Sequence, residues 1–153
     1  GLPVAITRCG NIYGPGDFNF SRIIPDAIKT TLTGKKLFIR SNGKFTRDYV
    51  YVDDIVDGYI ILAEKLKKLR LSGNAFNFSN GNPLTVLEVV NIISNSMGNR
   101  VKYEILDKAK YEIKHQYLLS KKANNILGWY PKNTFGQGIL KTIRWFKSIL
   151  NGV

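Results

Sequence analysis

Apolar residues recur along this chain in two rhythms, short runs rich in β-branched and aromatic residues and longer stretches with apolar positions every three or four residues. Val4 to Cys9 is the first short run, bounded by Pro3 and Gly10. Its nearly unbroken apolar character predicts a parallel strand buried on both faces. Gly10 to Asp17 is rich in turn formers and predicts a loop at the carboxyl end of that strand, where α/β sheets place ligands. From Arg22 to Leu32 the spacing of Ile23, Ile24, Ala27, Ile28 and Leu32 predicts a helix, with Pro25 tolerated in its first turn and Gly34 as its stop. Leu37 to Arg40 and Phe45 to Val52 predict two strands joined as a hairpin through Asn42-Gly43. Asp53 or Asp54 is expected to cap the next helix, which runs to about Leu69.

Further along, Ala75 to Phe78 predicts a strand, and Thr85 with Glu88 predicts a capping box for a helix ending at Gly98. Val101 to Leu106 reads as another strand. Ser120 is expected to cap a short helix ending near Gly128. Thr134 with Gln137 forms a second capping box for a last helix through Ile149, whose buried face carries Phe135, Ile139, Ile143 and Phe146. This order predicts one mixed α/β domain over residues 1–153, without repeats or a linker.

Composition narrows the function classes. The 44% hydrophobic and 22% charged residues describe a globular chain, and its longest apolar runs fall well short of the roughly 20 residues that span a bilayer. A membrane segment and a signal peptide are not expected. The first residues, Gly1-Leu2-Pro3-Val4, read as a chain entered midway. Cys9 is the single cysteine and His115 the single histidine, which leaves neither a disulfide nor a His/Cys metal site and agrees with a cytoplasmic location. A net charge of +12 attracts polyanions, whether nucleic acid, anionic membrane or phosphorylated small molecules. The lysines cluster at Lys65 to Arg70, Lys108 to Lys114, and Lys121 and Lys122, and most simply form solvated faces.

Four residues are candidates for one diphosphate site: Asn11 past the first strand, Arg22 at a helix start, Arg47 among aromatics in a strand, and Asn82 in a loop. A guanidinium at a helix amino terminus acts together with its free amides on an anion, and one fixed in a strand can grip two phosphate oxygens. The bland alternatives are a turn for Asn11, solvation for Arg22, and for Arg47 an ion pair with Asp48, Asp53 or Asp54. No Gly-x-Gly-x-x-Gly follows the first strand, so the phosphate turn of a dinucleotide site is missing.

Arg8-Cys9-Gly10-Asn11-Ile12-Tyr13-Gly14-Pro15-Gly16-Asp17 resembles the R-x-x-N-x-Y-G-P-x-D segment of extended short-chain dehydrogenases/reductases acting on nucleotide sugars. Arg22-Ile23-Ile24-Pro25, Gly43 to Asp54 with its Arg47-Asp48, Phe76-Asn77-Phe78-Ser79 and Leu127-Gly128-Trp129 resemble further segments of that family, in order. Glu112-Ile113-Lys114-His115-Gln116-Tyr117-Leu118 is most similar to sugar 4,6-dehydratases of the CDP-glucose type. Leu119 and Asp48-Tyr49 depart from that subfamily, so GDP-, dTDP- and UDP-linked hexoses stay open.

The resemblance implies the carboxy-terminal, substrate-binding part of an extended Rossmann-like enzyme: a last parallel strand plus a small mixed α/β domain. It implies that Asn11, Arg22, Arg47 and Asn82 hold a nucleotide-diphosphate sugar, and that Cys9 and Asn11 border the nicotinamide of NAD. The coenzyme-binding half and the catalytic residues would lie upstream of Gly1, making this chain inert alone and the complete protein a homodimer. The implied reaction takes a hydride from sugar carbon four to NAD, eliminates water and returns the hydride to carbon six; 4-epimerisation and keto-sugar reduction are the alternatives. A polyanion-binding module, nucleic acid included, is the rival from another class, but no nucleic-acid motif supports it.

Overall fold

The computed structural model describes residues 2–150. Their order is β1 (Ile6–Cys9), β2 (Asn11–Tyr13), α1 (Ile23–Leu32), β3 (Leu37–Ile39), β4 (Thr46–Tyr51), α2 (Val52–Lys68), β5 (Ala75–Phe78), β6 (Pro83–Thr85), α3 (Val86–Met97), β7 (Tyr103–Ile105), β8 (His115–Gln116), a π-helical turn at Ala123–Leu127, and α4 (Phe135–Leu150). The mixed α/β reading holds.

β4 organises the rest, because Asp48, Tyr49, Val50 and Tyr51 are all buried and the strand must be covered on both faces. Its first residues lie between antiparallel β6 and parallel β8, and its last three pair in parallel with β2. On one face, Tyr49 and Tyr51 join Tyr13 and residues of α1, α3 and α4 in the larger core. On the other, Val50 joins Phe76 and Phe78 of β5, Ile55 and Leu62 of α2, and Leu127 and Trp129 in the smaller one. Alternation along one strand thus binds two cores together.

Trp129 shows how the second core closes. Its ring is fully buried, lies edge-on to Phe78 at 4.9 Å, and donates from Nε1 to the Asp54 carbonyl at 2.8 Å. In the larger core Gly138 of α4 faces Tyr13 and Tyr51 so closely that a Cβ there would collide with the Tyr13 hydroxyl. Tyr13 uses that hydroxyl to donate to the Phe135 carbonyl at 2.9 Å.

Several expectations are corrected. The hairpin does not form: β3 pairs with β7 and β4 with β2, β6 and β8, so Asn42-Gly43 turns the chain between sheets. β1 is parallel to β5 as expected, but it is not buried on both faces, since Val4 and Ile6 are 55% and 53% exposed. Neither Asp53 nor Asp54 caps α2, which begins after Tyr51 without a side-chain cap. Asp54 instead accepts from the Lys132 and Asn133 amides and the Asn133 side chain, tying down the approach to α4. Ser120 is not a cap either, since its hydroxyl donates to the Ser79 carbonyl. β2, β6 and β8 were not foreseen. Both capping boxes are present: Thr85 and Glu88 close one, Thr134 and Gln137 the other. No described helix is long and apolar enough to cross a membrane.

Candidate functional site

The carboxyl ends of β1 and β2, the start of α1, and β3 and β4 enclose a cavity of about 690 Å³. Gly10 permits this arrangement, because a Cβ there would lie 2.7 Å from the Asp48 carbonyl oxygen. The chain can therefore cross from β1 to β2 directly over β4.

Cys9, Asn11, Arg22 and Arg47 all line the cavity. Arg47 is the best held, with its side chain only 17% exposed. β-strand alternation sends it to the cavity face while Asp48 goes to the opposite one. Its Nη1 donates to the Thr46 carbonyl at 2.9 Å and its Nη2 lies 3.8 Å from Glu112, so its partner is none of the three aspartates considered from the sequence. Arg22 sits at the amino-terminal boundary of α1, exposed, and donates to Asp17 at 3.3 Å. The adjacent Ile23 and Ile24 also line the cavity, which puts the start of α1 in its wall. Asn11 is exposed, and its side chain makes no hydrogen bond among the described residues. Asn82 is exposed on the loop before β6 and does not line this cavity.

Three lining residues were not anticipated. Arg40, at the end of β3, and Glu112 form a long ion pair of 4.0 Å. Phe38 presents a half-exposed ring from β3. Glu112 belonged to a segment noticed for its resemblance, and only its place between two arginines gives it a role. Arg40 and Phe38 carried no signal beyond an alternating strand.

Tyr49, beside Arg47, has its phenol pushed up to about 12 by burial, which the nearby guanidinium only partly opposes. The Tyr13 phenol is also raised, by burial first and then by Asp54 and Tyr51. Both stay protonated at neutral pH and offer hydroxyls, not bases. Cys9 lies 3.4 Å from the Tyr59 hydroxyl. One Tyr-x-x-x-Lys spacing does occur in the chain, Tyr117 to Lys121. Both are exposed, Tyr117 precedes the helical turn rather than sharing a helix with Lys121, and neither lines the cavity. No three His, Cys, Asp or Glu side chains among the described residues are grouped to hold a metal ion.

The cavity lies at strand ends beside a part-buried arginine and the start of a helix, which is where α/β sheets place ligands. The profile of the NAD dependent epimerase/dehydratase family matches residues 1–78, and the chain belongs to that family. It is 30% identical to dTDP-glucose 4,6-dehydratase 1 of Escherichia coli K12 over 97% of its own length and 42% of the relative's. Its fold matches dTDP-glucose 4,6-dehydratase from Bacillus anthracis in complex with NAD, with a TM-score of 0.81, 31% identity, and coverage of 96% and 45%. UDP-glucose 4-epimerase of Thermotoga maritima with UDP-glucose gives a TM-score of 0.84 at 27% identity, covering 95% and 46%. The chain spans less than half the length of these relatives.

Cys9 ends β1 and Asn11 begins β2 at the cavity, but the sequence has no Gly-x-Gly-x-x-Gly turn to take the phosphates of NAD, so the residues present do not make a complete NAD site.

Proposed function

We propose that this cavity binds the diphosphate of a nucleotide sugar, and that residues 1–153 are the single substrate-binding domain of an NAD-dependent NDP-hexose 4,6-dehydratase. The observation that carries the reading is Arg47, a largely buried guanidinium aimed into a strand-end cavity alongside Asn11 and Arg22. In this reading Arg47 grips the diphosphate, the Ile23 and Ile24 amides at the start of α1 add dipolar donors, Asn11 donates to a phosphate or sugar hydroxyl, and Phe38 offers a face to the nucleobase. Asn82 is outside this set, because its loop does not reach the cavity wall.

The coenzyme would accept and return the hydride at the sugar ring, next to Cys9 and Asn11. This chain's own part is binding and orientation, with a protonated Tyr49 beside Arg47 and no general base in the cavity from either buried phenol. The complete protein is proposed to be a homodimer, and the chain alone inert. UDP-sugar 4-epimerases among the relatives support 4-epimerisation as the second reading, and the resemblance of Glu112 to Leu118 makes a CDP-linked hexose the first sugar nucleotide to try.

The test is to titrate UDP-, CDP-, GDP- and dTDP-glucose and NAD separately against the chain by calorimetry. One sugar nucleotide should bind in preference, and NAD should not bind at micromolar concentration. Equal, salt-dependent binding of RNA with no response to any sugar nucleotide would sink the reading in favour of a polyanion module.

A further inference from the structure

We propose that Glu112 is a specificity-determining residue of this cavity: an internal carboxylate, carried on a strap, that an anionic ligand must displace from Arg40 and Arg47. The proposal rests on the nucleotide-sugar reading above and says what governs affinity at that site.

The strap runs from Lys108 to Leu118 and is anchored at both ends. At the first end the Lys108 and Ala109 amides donate to the Arg40 carbonyl at 2.7 and 3.2 Å. At the other, the Thr46 amide donates to the Lys114 carbonyl at 2.9 Å, and β8 places His115 opposite Thr46 and Gln116 opposite Arg47. The Leu118 amide reaches Asp48 at 3.4 Å. The backbone thus crosses from one arginine to the other, and Glu112 stands between them. One carboxylate oxygen lies 4.0 Å from Arg40 Nη2 and the other 3.8 Å from Arg47 Nη2.

Neither contact is short enough for a hydrogen bond, and Glu112 is 43% exposed, so each pair is weak and screened. Charge bookkeeping shows why they matter. The cavity lining holds Arg22, Arg40 and Arg47 against Asp17, Asp26 and Glu112, three of each sign, although the whole chain carries +12. Among the lining side chains the charges cancel, so a phosphate gains both Arg40 and Arg47 only when Glu112 gives way. A diphosphate has two anionic groups to offer the two guanidiniums, with the bidentate geometry that the distant Glu112 lacks.

The experiment compares the chain with Glu112→Gln, which removes the charge at the same length, and with Glu104→Gln. Glu104 pairs with Lys36 on the surface and does not line the cavity, so it controls for a charge change alone. UDP, inorganic pyrophosphate and uridine are titrated by calorimetry. Glu112→Gln should bind UDP and pyrophosphate about three- to tenfold tighter, the scale of two partly exposed ion pairs released. Uridine affinity should stay the same, and Glu104→Gln should change neither by more than about twofold. Glu112→Ala should move in the same direction as Glu112→Gln. If the wild type binds UDP but Glu112→Gln binds it equally or more weakly, the carboxylate orients Arg47 instead of competing with the ligand, and the proposal falls. Equal tightening by Glu104→Gln also overturns it. If no form binds UDP or pyrophosphate, the nucleotide-sugar reading fails and takes this proposal with it.

Discussion

The two faces of β4 end in different surroundings. On the Tyr49 and Tyr51 side, the larger core is closed by three helices and opens only at a polar, charge-balanced cavity. On the Val50 side, the smaller core is as deeply buried beneath β1, β5 and α2, yet large apolar side chains stand exposed outside it. Val4 and Ile6 project from the open face of the β1 and β5 pair, and Val56, Tyr59 and Ile60 form an exposed stripe on α2. Tyr59 meets Thr7 and Cys9, so that stripe borders β1. Among the described residues β1 has only β5 as a neighbour. The cavity side thus ends in charged and polar side chains, whereas the β1 side ends in exposed apolar ones.

The largest effects should come from inside. Trp129→Ala should destabilise the chain by about 3 to 5 kcal/mol, because it empties the smaller core and leaves the Asp54 carbonyl without its donor. A denaturant midpoint within error of wild type would mean that the β1 side has no independent core. On the cavity side, Arg47→Ala should cost on the order of 2 to 4 kcal/mol in sugar-nucleotide binding, and Arg47→Lys should restore only part. Calorimetry with the preferred sugar nucleotide decides, and equal binding by Arg47→Ala would refute the assignment.

What the sequence revealed follows the same division. Local signals were legible: both capping boxes, the helices and the parallel character of β1 each depend on residues close in the chain. The hairpin failed because Asn42-Gly43 specifies a turn but not a partner, and Leu37–Ile39 finds its partner in Tyr103–Ile105 across a long separation. Asp54 failed as a cap for a related reason. Its buried carboxylate serves Lys132 and Asn133, a tertiary demand invisible to local capping rules. Of the candidates read from the chain, Asn11, Arg22 and Arg47 line the cavity, and each stood in a motif of the sequence. Glu112 and Arg40 were not legible as site residues, because the strap joining them is defined by strand pairing at β8, a two-residue element without a pattern of its own.

Two smaller tests probe the closed side. Gly138→Ala should cost about 1 to 3 kcal/mol, since the added methyl must push Tyr13 or Tyr51 aside in a filled core. A thermal melt measures it, and no change would mean that α4 can slide. Thr85→Ala should cost about 0.5 to 2 kcal/mol through the lost cap of α3. The Glu88 carboxyl is held below the ordinary glutamate range, first by its bond from the Thr85 backbone and then by that from the Thr85 side chain. A depressed carboxylate contributes stability that is present above its unfolded value and lost as pH falls through its folded one. The gap between wild type and Thr85→Ala should therefore narrow below about pH 4.5. A gap unchanged from neutral pH to pH 3 would detach Glu88 from the cap.

The smallest stability effect is expected on the open side, where it separates a covered surface from a merely exposed one. Ile60 is 52% exposed, so Ile60→Ser should change unfolding free energy by no more than about 0.5 kcal/mol. Its effect on association should be larger. An apolar stripe beside a parallel strand with one free edge invites edge pairing and face-to-face burial between copies, and light scattering of the wild-type chain should show apparent mass rising with concentration. Ile6→Lys places a charge on the open face of β1 and should suppress that rise more than Ile60→Ser, because it blocks strand addition as well as apolar contact. Neither substitution touches the cavity lining, so binding of the preferred sugar nucleotide should be unchanged in both. A wild-type chain that stays monomeric across the concentration range would show that exposure on this side does not drive self-association. Loss of sugar-nucleotide binding in Ile6→Lys would show that the two faces of β4 are coupled, not separate as their packing indicates.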